Sequence, residues 1–178
     1  MEKYDEERIM QQREIKLGIP SYITVESEEG SFIGEQNSSK FEKEDICIEA
    51  NENGEIWLTA DTTPVKTVKL RWNTPLERTS KILGGAWERT YGDAEWKGMS
   101  GTRFMPWYFL ALNEGVVTGY GVKVRPSAMC FWQADTRGIT LVLDVRCGGM
   151  GVVLSGRKLL AAEVVAMQAD DCTSFEAA

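Results

Sequence analysis

The residues most able to do chemistry lie between Trp87 and Trp96. These two tryptophans flank the polar stretch Glu88-Arg89-Thr90-Tyr91-Gly92-Asp93-Ala94-Glu95. Flat aromatic rings cover the C–H faces of a sugar, while carboxylates and guanidinium groups bond its hydroxyls. Trp87, Arg89, Tyr91, Asp93 and Trp96 are therefore the candidate substrate-binding residues. Asp93 and Glu95 stand two apart, which puts them on one face of an extended segment. Two carboxylates on one face suggest the acid and nucleophile of a glycosidase. The same pair fits a solvated edge, or ion pairs with Arg89 or Lys97. Acid and nucleophile need separately tuned environments in a deep cleft, and neighbouring positions on one strand do not supply them. No catalytic residue is assigned in this chain.

Other chemistries are closed off by composition. The 178 residues contain no histidine, which removes the Ser-His-Asp and Cys-His routes to an activated nucleophile and the commonest zinc and copper ligand. Cys47, Cys130, Cys147 and Cys172 are separated by 83, 17 and 25 residues, spacings that match no zinc or redox motif. The first three sit in apolar stretches and are expected to be buried, reduced thiols of a cytoplasmic protein. Gly148-Gly149-Met150-Gly151 lacks the lysine and helix of a phosphate-cradling loop and reads as a turn. Neither a metal nor a cofactor is expected. The net charge of -7 repels a nucleic-acid backbone, and Lys and Arg form no basic cluster. The charged start, Met1 to Arg13, is unlike a secretory signal, and no run approaches the length of a membrane span.

The elements that must position these residues read as strands. Residues 1–19 are charge-rich, and Tyr4 to Leu17 is expected to be a loosely held leader, flexible or briefly helical, ended by Pro20. From Ser21 the chain turns to short apolar or alternating runs. Asn53-Gly54 between Ile46-Cys47-Ile48 and Ile56-Trp57-Leu58 is a strong hairpin signal. Val65 to Trp72 alternates so that Val68, Leu70 and Trp72 share a face. Residues 34–45 read as a loop. Glu114-Gly115 turns an aromatic run into Val116–Val124, and further strands are expected at 128–134, 139–145, 151–154 and 159–168. Thr173 or Ser174 resembles a helix N-cap. Many short strands separated by turn residues predict an all-β domain over residues 20–168, built as a two-sheet antiparallel sandwich. Residues 169–178 read as the start of a linker.

The run Ile82-Leu83-Gly84-Gly85-Ala86-Trp87 through Trp96 resembles the N-terminal region of α-galactosidase-like enzymes of glycoside hydrolase family 36. The likeness continues through Met105-Pro106-Trp107-Tyr108-Phe109, Gly119-Tyr120-Gly121-Val122, Cys130-Phe131-Trp132-Gln133 and Leu143-Asp144-Val145-Arg146. It spans about Val65 to Gln168, and the order of the five blocks carries it. The resemblance implies a β-supersandwich of the galactose mutarotase-like type, followed by a (β/α)₈ barrel and a small β domain. The two catalytic aspartates would lie in the barrel, whose roughly 250 residues cannot fit after Gln168. The implied function is that of an accessory domain supporting the absent barrel of the same polypeptide. Trp87, Asp93 and Trp96 would approach its α-galactoside at the mouth, within an enzyme that is often an oligomer. A stand-alone carbohydrate-binding domain and a purely structural or oligomerising sandwich remain alternatives.

Overall fold

The computed structural model describes residues 12–84, 95–123 and 125–170. Within them, side chains that alternate between apolar and polar make strands, because successive residues of an extended chain point to opposite faces. In chain order the strands are β1 (Gln12–Ile15), β2 (Tyr22–Ser27), β3 (Ser31–Ile33), β4 (Lys40–Lys43), β5 (Ile46–Ala50), β6 (Glu55–Thr59), β7 (Val65–Trp72) and β8 (Lys81–Leu83). They continue as β9 (Lys97–Gly98), β10 (Met105–Pro106), β11 (Tyr108–Asn113), β12 (Val116–Val122), β13 (Met129–Asp135), β14 (Gly138–Asp144) and β15 (Lys158–Ala169). No described residue is helical.

Two antiparallel sheets form a β-sandwich. The larger runs β4-β5-β6-β15-β12-β11-β8-β9, and the smaller β10-β13-β14-β7-β2-β3. The long strand β15 is the hinge of the larger sheet. Its first half pairs with β6 and its second half with β1 on one side, while β12 runs along the second half on the other. The inward faces meet in an aromatic cluster. Phe109 stacks on Tyr120 at 4.9 Å, Trp132 meets Phe109 edge-on at 5.9 Å, and Trp72 lies 6.1 Å from Trp132. Buried indole N–H groups need acceptors. Trp132 donates to the Trp107 carbonyl at 3.3 Å and Trp72 to the Gly18 carbonyl at 3.0 Å. Val68, Leu70 and Trp72 are all buried, as their alternation predicts.

Asn53-Gly54 is the tip of the β5–β6 hairpin. Asn51 Oδ1 accepts from the backbone N–H groups of Asn53 and Glu55, both at 3.0 Å, and Gly54 sits at φ +83°. A Cβ there would fall 2.3 Å from the Val164 carbonyl, so the hairpin tip can lie on β15 only because residue 54 is glycine. A second polar knot fixes the β6–β7 connection. The Asp45 carboxylate accepts from the backbone N–H groups of Asp61, Thr62 and Thr63 and from the hydroxyls of Thr62 and Thr63.

Four expectations need correction. Gln12–Ile15, assigned to the flexible or helical leader, is a strand, because β15 offers a free backbone edge beyond the end of β6. Lys40–Lys43, read as loop, is an edge strand that buries only Phe41. Residues 151–154 make only an isolated bridge, Val152 to Val65. Cys47, Cys130 and Cys147 are expected to be buried, yet of these only Cys130 is. Cys47 is half-buried because it points outward from β5, and Cys147 is exposed in the turn after β14. Cys172 and the helix start at Thr173 lie outside the described residues.

Candidate functional site

β8 and β9 pair antiparallel at the edge of the larger sheet, with Lys81 opposite Gly98 and Ile82 opposite Lys97. Gly84 follows β8 and Trp96 precedes β9 at this edge. Trp87, Arg89, Tyr91 and Asp93 lie outside the described residues. Trp96 is half-buried immediately before β9. Glu95 is open, its side chain 71% exposed and its carboxylate 4.0 Å from the Lys97 ammonium. At the departing end, Gly84 lies against Met105 and Phe109, where a Cβ would meet theirs at 3.3 and 3.0 Å. This sets Gly84 against the aromatic core.

Arg103 closes the same corner. Its Nη2 donates to the Gly98 carbonyl at 3.2 Å, while Nη1 is buried and has no hydrogen-bond partner among the described residues. Beside it, Trp107 carries the chain from β10 in the small sheet to β11 in the large one. Its N–H donates to the Cys130 carbonyl at 3.1 Å, and its own carbonyl accepts from Val122 at 3.0 Å and from the Trp132 indole. These bonds, made to both sheets, hold Trp107 at φ +67°, a region that bulky residues rarely occupy. The indole is left 42% exposed, next to Tyr108 at 57% and Phe104 at 46%. Phe104 in turn packs edge-on against Phe131 at 5.1 Å.

The described parts of the five sequence blocks thus come together in the two sheets. β8, β11 and β12 are neighbours in one sheet and β10, β13 and β14 in the other, joined through Phe109, Tyr120 and Trp132. The exposed trio Phe104, Trp107 and Tyr108 was not among the predicted site residues. The aromatic density of Arg103–Leu112 was the available signal, but a positive φ at a tryptophan leaves no mark in sequence.

Chemically, this corner offers ring faces and hydrogen-bonding groups. Elsewhere in the fold, Asp45, Glu49 and Asp144 are held below the ordinary carboxylate range by, respectively, the Thr63 hydroxyl and nearby backbone N–H groups, the Lys158 ammonium, and the Arg146 guanidinium. A glycosidase acid must be pushed the other way. Among the described residues no three His, Cys, Asp or Glu side chains are grouped to hold a metal ion, and no helix is long and apolar enough to cross a membrane. No family model, no curated protein and no solved structure matches this chain.

Proposed function

We propose that this chain is the N-terminal accessory domain of an α-galactosidase-like glycoside hydrolase. In this reading it packs against a catalytic (β/α)₈ barrel of the same polypeptide and lends the Trp87–Trp96 segment to the sugar-binding mouth. The observation that carries the reading is the outer face of the larger sheet. The side chains of Phe109, Ala111, Tyr120, Val164 and Ala166 point into the core, so the alternate positions on those strands point outward. On β11, β12 and β15 these include Leu110, Leu112, Val117, Gly119, Val165 and Met167, in register across the three strands. None is charged. An antiparallel sheet with one face in water alternates apolar-in and polar-out, whereas a sheet covered on both faces reads as nearly continuous apolar sequence. β15 reads as the latter, with Leu-Leu-Ala-Ala-Glu-Val-Val-Ala-Met. The other half of the same outer face carries Lys40, Glu49 and Lys158, so the apolar half is a local feature that suits a second packed body. The exposed Phe104–Trp107–Tyr108 corner lies beside it.

The test is the reading frame downstream of residue 178. The expected continuation is about 250 residues of alternating strands and helices with aspartates at strand ends, and the joined protein should hydrolyse a chromogenic α-galactoside. A stop codon, or a continuation of another class, overturns the proposal.

A further inference from the structure

The charged half of the larger sheet's outer face contains a groove of about 460 Å³ whose walls include Trp57, Glu49, Glu52, Ser39, Lys40 and Lys158. Three observations about it point the same way. First, Trp57 is an outward residue of β6, flanked in register by Glu49 of β5, which is itself opposite Lys40 of β4. Nothing in the core requires a tryptophan there.

Second, the ring is oriented in advance. Its indole N–H donates to Glu55 Oε2 at 3.2 Å, the same oxygen accepts from Asn51 Nδ2 at 2.8 Å, and Asn51 is fixed by the hairpin tip. A ring held by its neighbours in this way binds without the cost of ordering a free side chain.

Third, both cations are paired. Lys158 reaches Glu49 at 2.5 Å and its ammonium sits over one face of the Trp57 ring, 5.3 Å from the centroid, and Lys40 reaches Glu42 at 2.7 Å. Both lining ammonium groups are thus bonded to carboxylates, so the walls offer no unpaired cation to an anionic ligand. The Glu52 carboxylate and the Ser39 hydroxyl carry no side-chain hydrogen bond among the described residues.

An oriented indole, hydroxyl-bonding groups and the lack of an unpaired ammonium among the lining residues fit a ligand that has an apolar ring face and many hydroxyls. We propose that this groove binds a neutral saccharide. It lies on β4–β6, four strand spacings or about 19 Å from β8, and so is separate from the edge that carries Trp96. The proposal stands whether or not the chain is joined to a catalytic barrel, because it rests on the groove alone.

The experiment titrates the 178-residue chain with raffinose and with maltotriose, following tryptophan fluorescence and the indole ¹H–¹⁵N resonances, with sodium glucuronate as the charged comparison. The expected result is saturable binding of at least one neutral sugar, with a dissociation constant on the order of 1 mM, centred on the Trp57 indole resonance and weaker for glucuronate. Trp57→Ala should abolish it. Glu52→Gln, which keeps the ring and the fold, should weaken it several-fold, and Ile33→Ser on the opposite sheet should leave it unchanged. Absence of saturation with both neutral sugars overturns the proposal. So does binding that survives in folded Trp57→Ala. Should that variant not fold, binding undiminished in Glu52→Gln is the overturning result. Tighter binding of glucuronate than of either neutral sugar would also overturn it, since it would make the groove an anion site.

Discussion

At the scale of single residues, Asp45 is the clearest case of a side chain whose environment sets its behaviour. Its five hydrogen bonds favour the ionised form and hold the carboxyl well below its ordinary value of 3.8. Above about pH 5 both folded and unfolded chains carry the charge, and the full stabilisation is present. As the pH falls through the ordinary range the unfolded chain takes up the proton first, so native stability declines. The melting temperature of the parent is therefore expected to drop between about pH 6 and pH 3 by more than that of Asp45→Asn, which cannot titrate. Parallel curves for the two proteins would remove Asp45 from the acid response. The cysteines offer a second test. Burial pushes the Cys130 thiol up to about 12, while Cys147 is exposed. In a Cys172→Ser background, a thiol reagent at about pH 8 should modify Cys147 first, since reaction needs an accessible thiolate. Cys130 should react only in denaturant, and early modification of Cys130 in the native protein would contradict its burial. The sequence marked the cysteines as apolar but not their depth. Cys47 and Cys130 both stand in strands, and only the direction in which each points separates them.

At the scale of elements, turn chemistry was the most legible part. Asn53-Gly54 and Glu114-Gly115 both make hairpins, and Gly115 has φ +80°. Gly54→Ala should cost at least about 1 kcal/mol, because the new methyl would meet the Val164 carbonyl where the hairpin tip rests on β15. Denaturant melts of the two proteins check this, and a neutral change would mean that the tip can lift away freely. β1 was not legible: Gln12, Arg13 and Glu14 are all exposed, so no apolar period announces the strand. Its backbone bonds to β15, with Arg13 reaching Gln168 and Asp170, hold it instead. Trp107 was visible as an aromatic but not as a left-handed residue, since only the competing bonds from both sheets impose that angle. A direct check compares Trp107→Gly with Trp107→Ala, which remove the same indole contacts. At a positive φ the glycine variant should be the more stable, by about 1 kcal/mol. Equal stability would indicate that residue 107 relaxes once the ring is gone.

At the scale of the whole molecule, the two-sheet architecture followed from strand spacing, but the sheet order did not. Nothing in the sequence says that the last strand lies in the middle of the larger sheet, or that β8 and β9 form one of its edges. The apolar outer half of that sheet was likewise hidden, because the face of each residue depends on register. It gives a measurable expectation. Met167, 41% exposed, lies at the centre of that half. Met167→Lys should change unfolding free energy by no more than about 0.5 kcal/mol, as surface changes do, while clearly reducing binding of a hydrophobic dye. A large loss of stability would show Met167 to be part of the core, and unchanged dye binding would place the apolar surface elsewhere. If the reaction belongs to a separate barrel, the 178-residue chain should not turn over a chromogenic α-galactoside. Turnover that Asp93→Asn abolishes would relocate the chemistry into this domain.

The position of β15 has a consequence for synthesis on the ribosome. β4, β5 and β6 form one meander and β8, β9, β11 and β12 another group, and the larger sheet joins them only through β15. While residues 158–169 remain in the exit tunnel, the nascent chain holds two unjoined sheet fragments, each with an open hydrogen-bonding edge along β6 or β12. Such edges recruit other strands, and pairings this distant in sequence form slowly. The nascent chain is thus most exposed to misassociation until β15 emerges, and a ribosome stalled short of residue 158 should hold a protease-sensitive product, whereas one stalled far enough downstream for residue 170 to have left the tunnel should not.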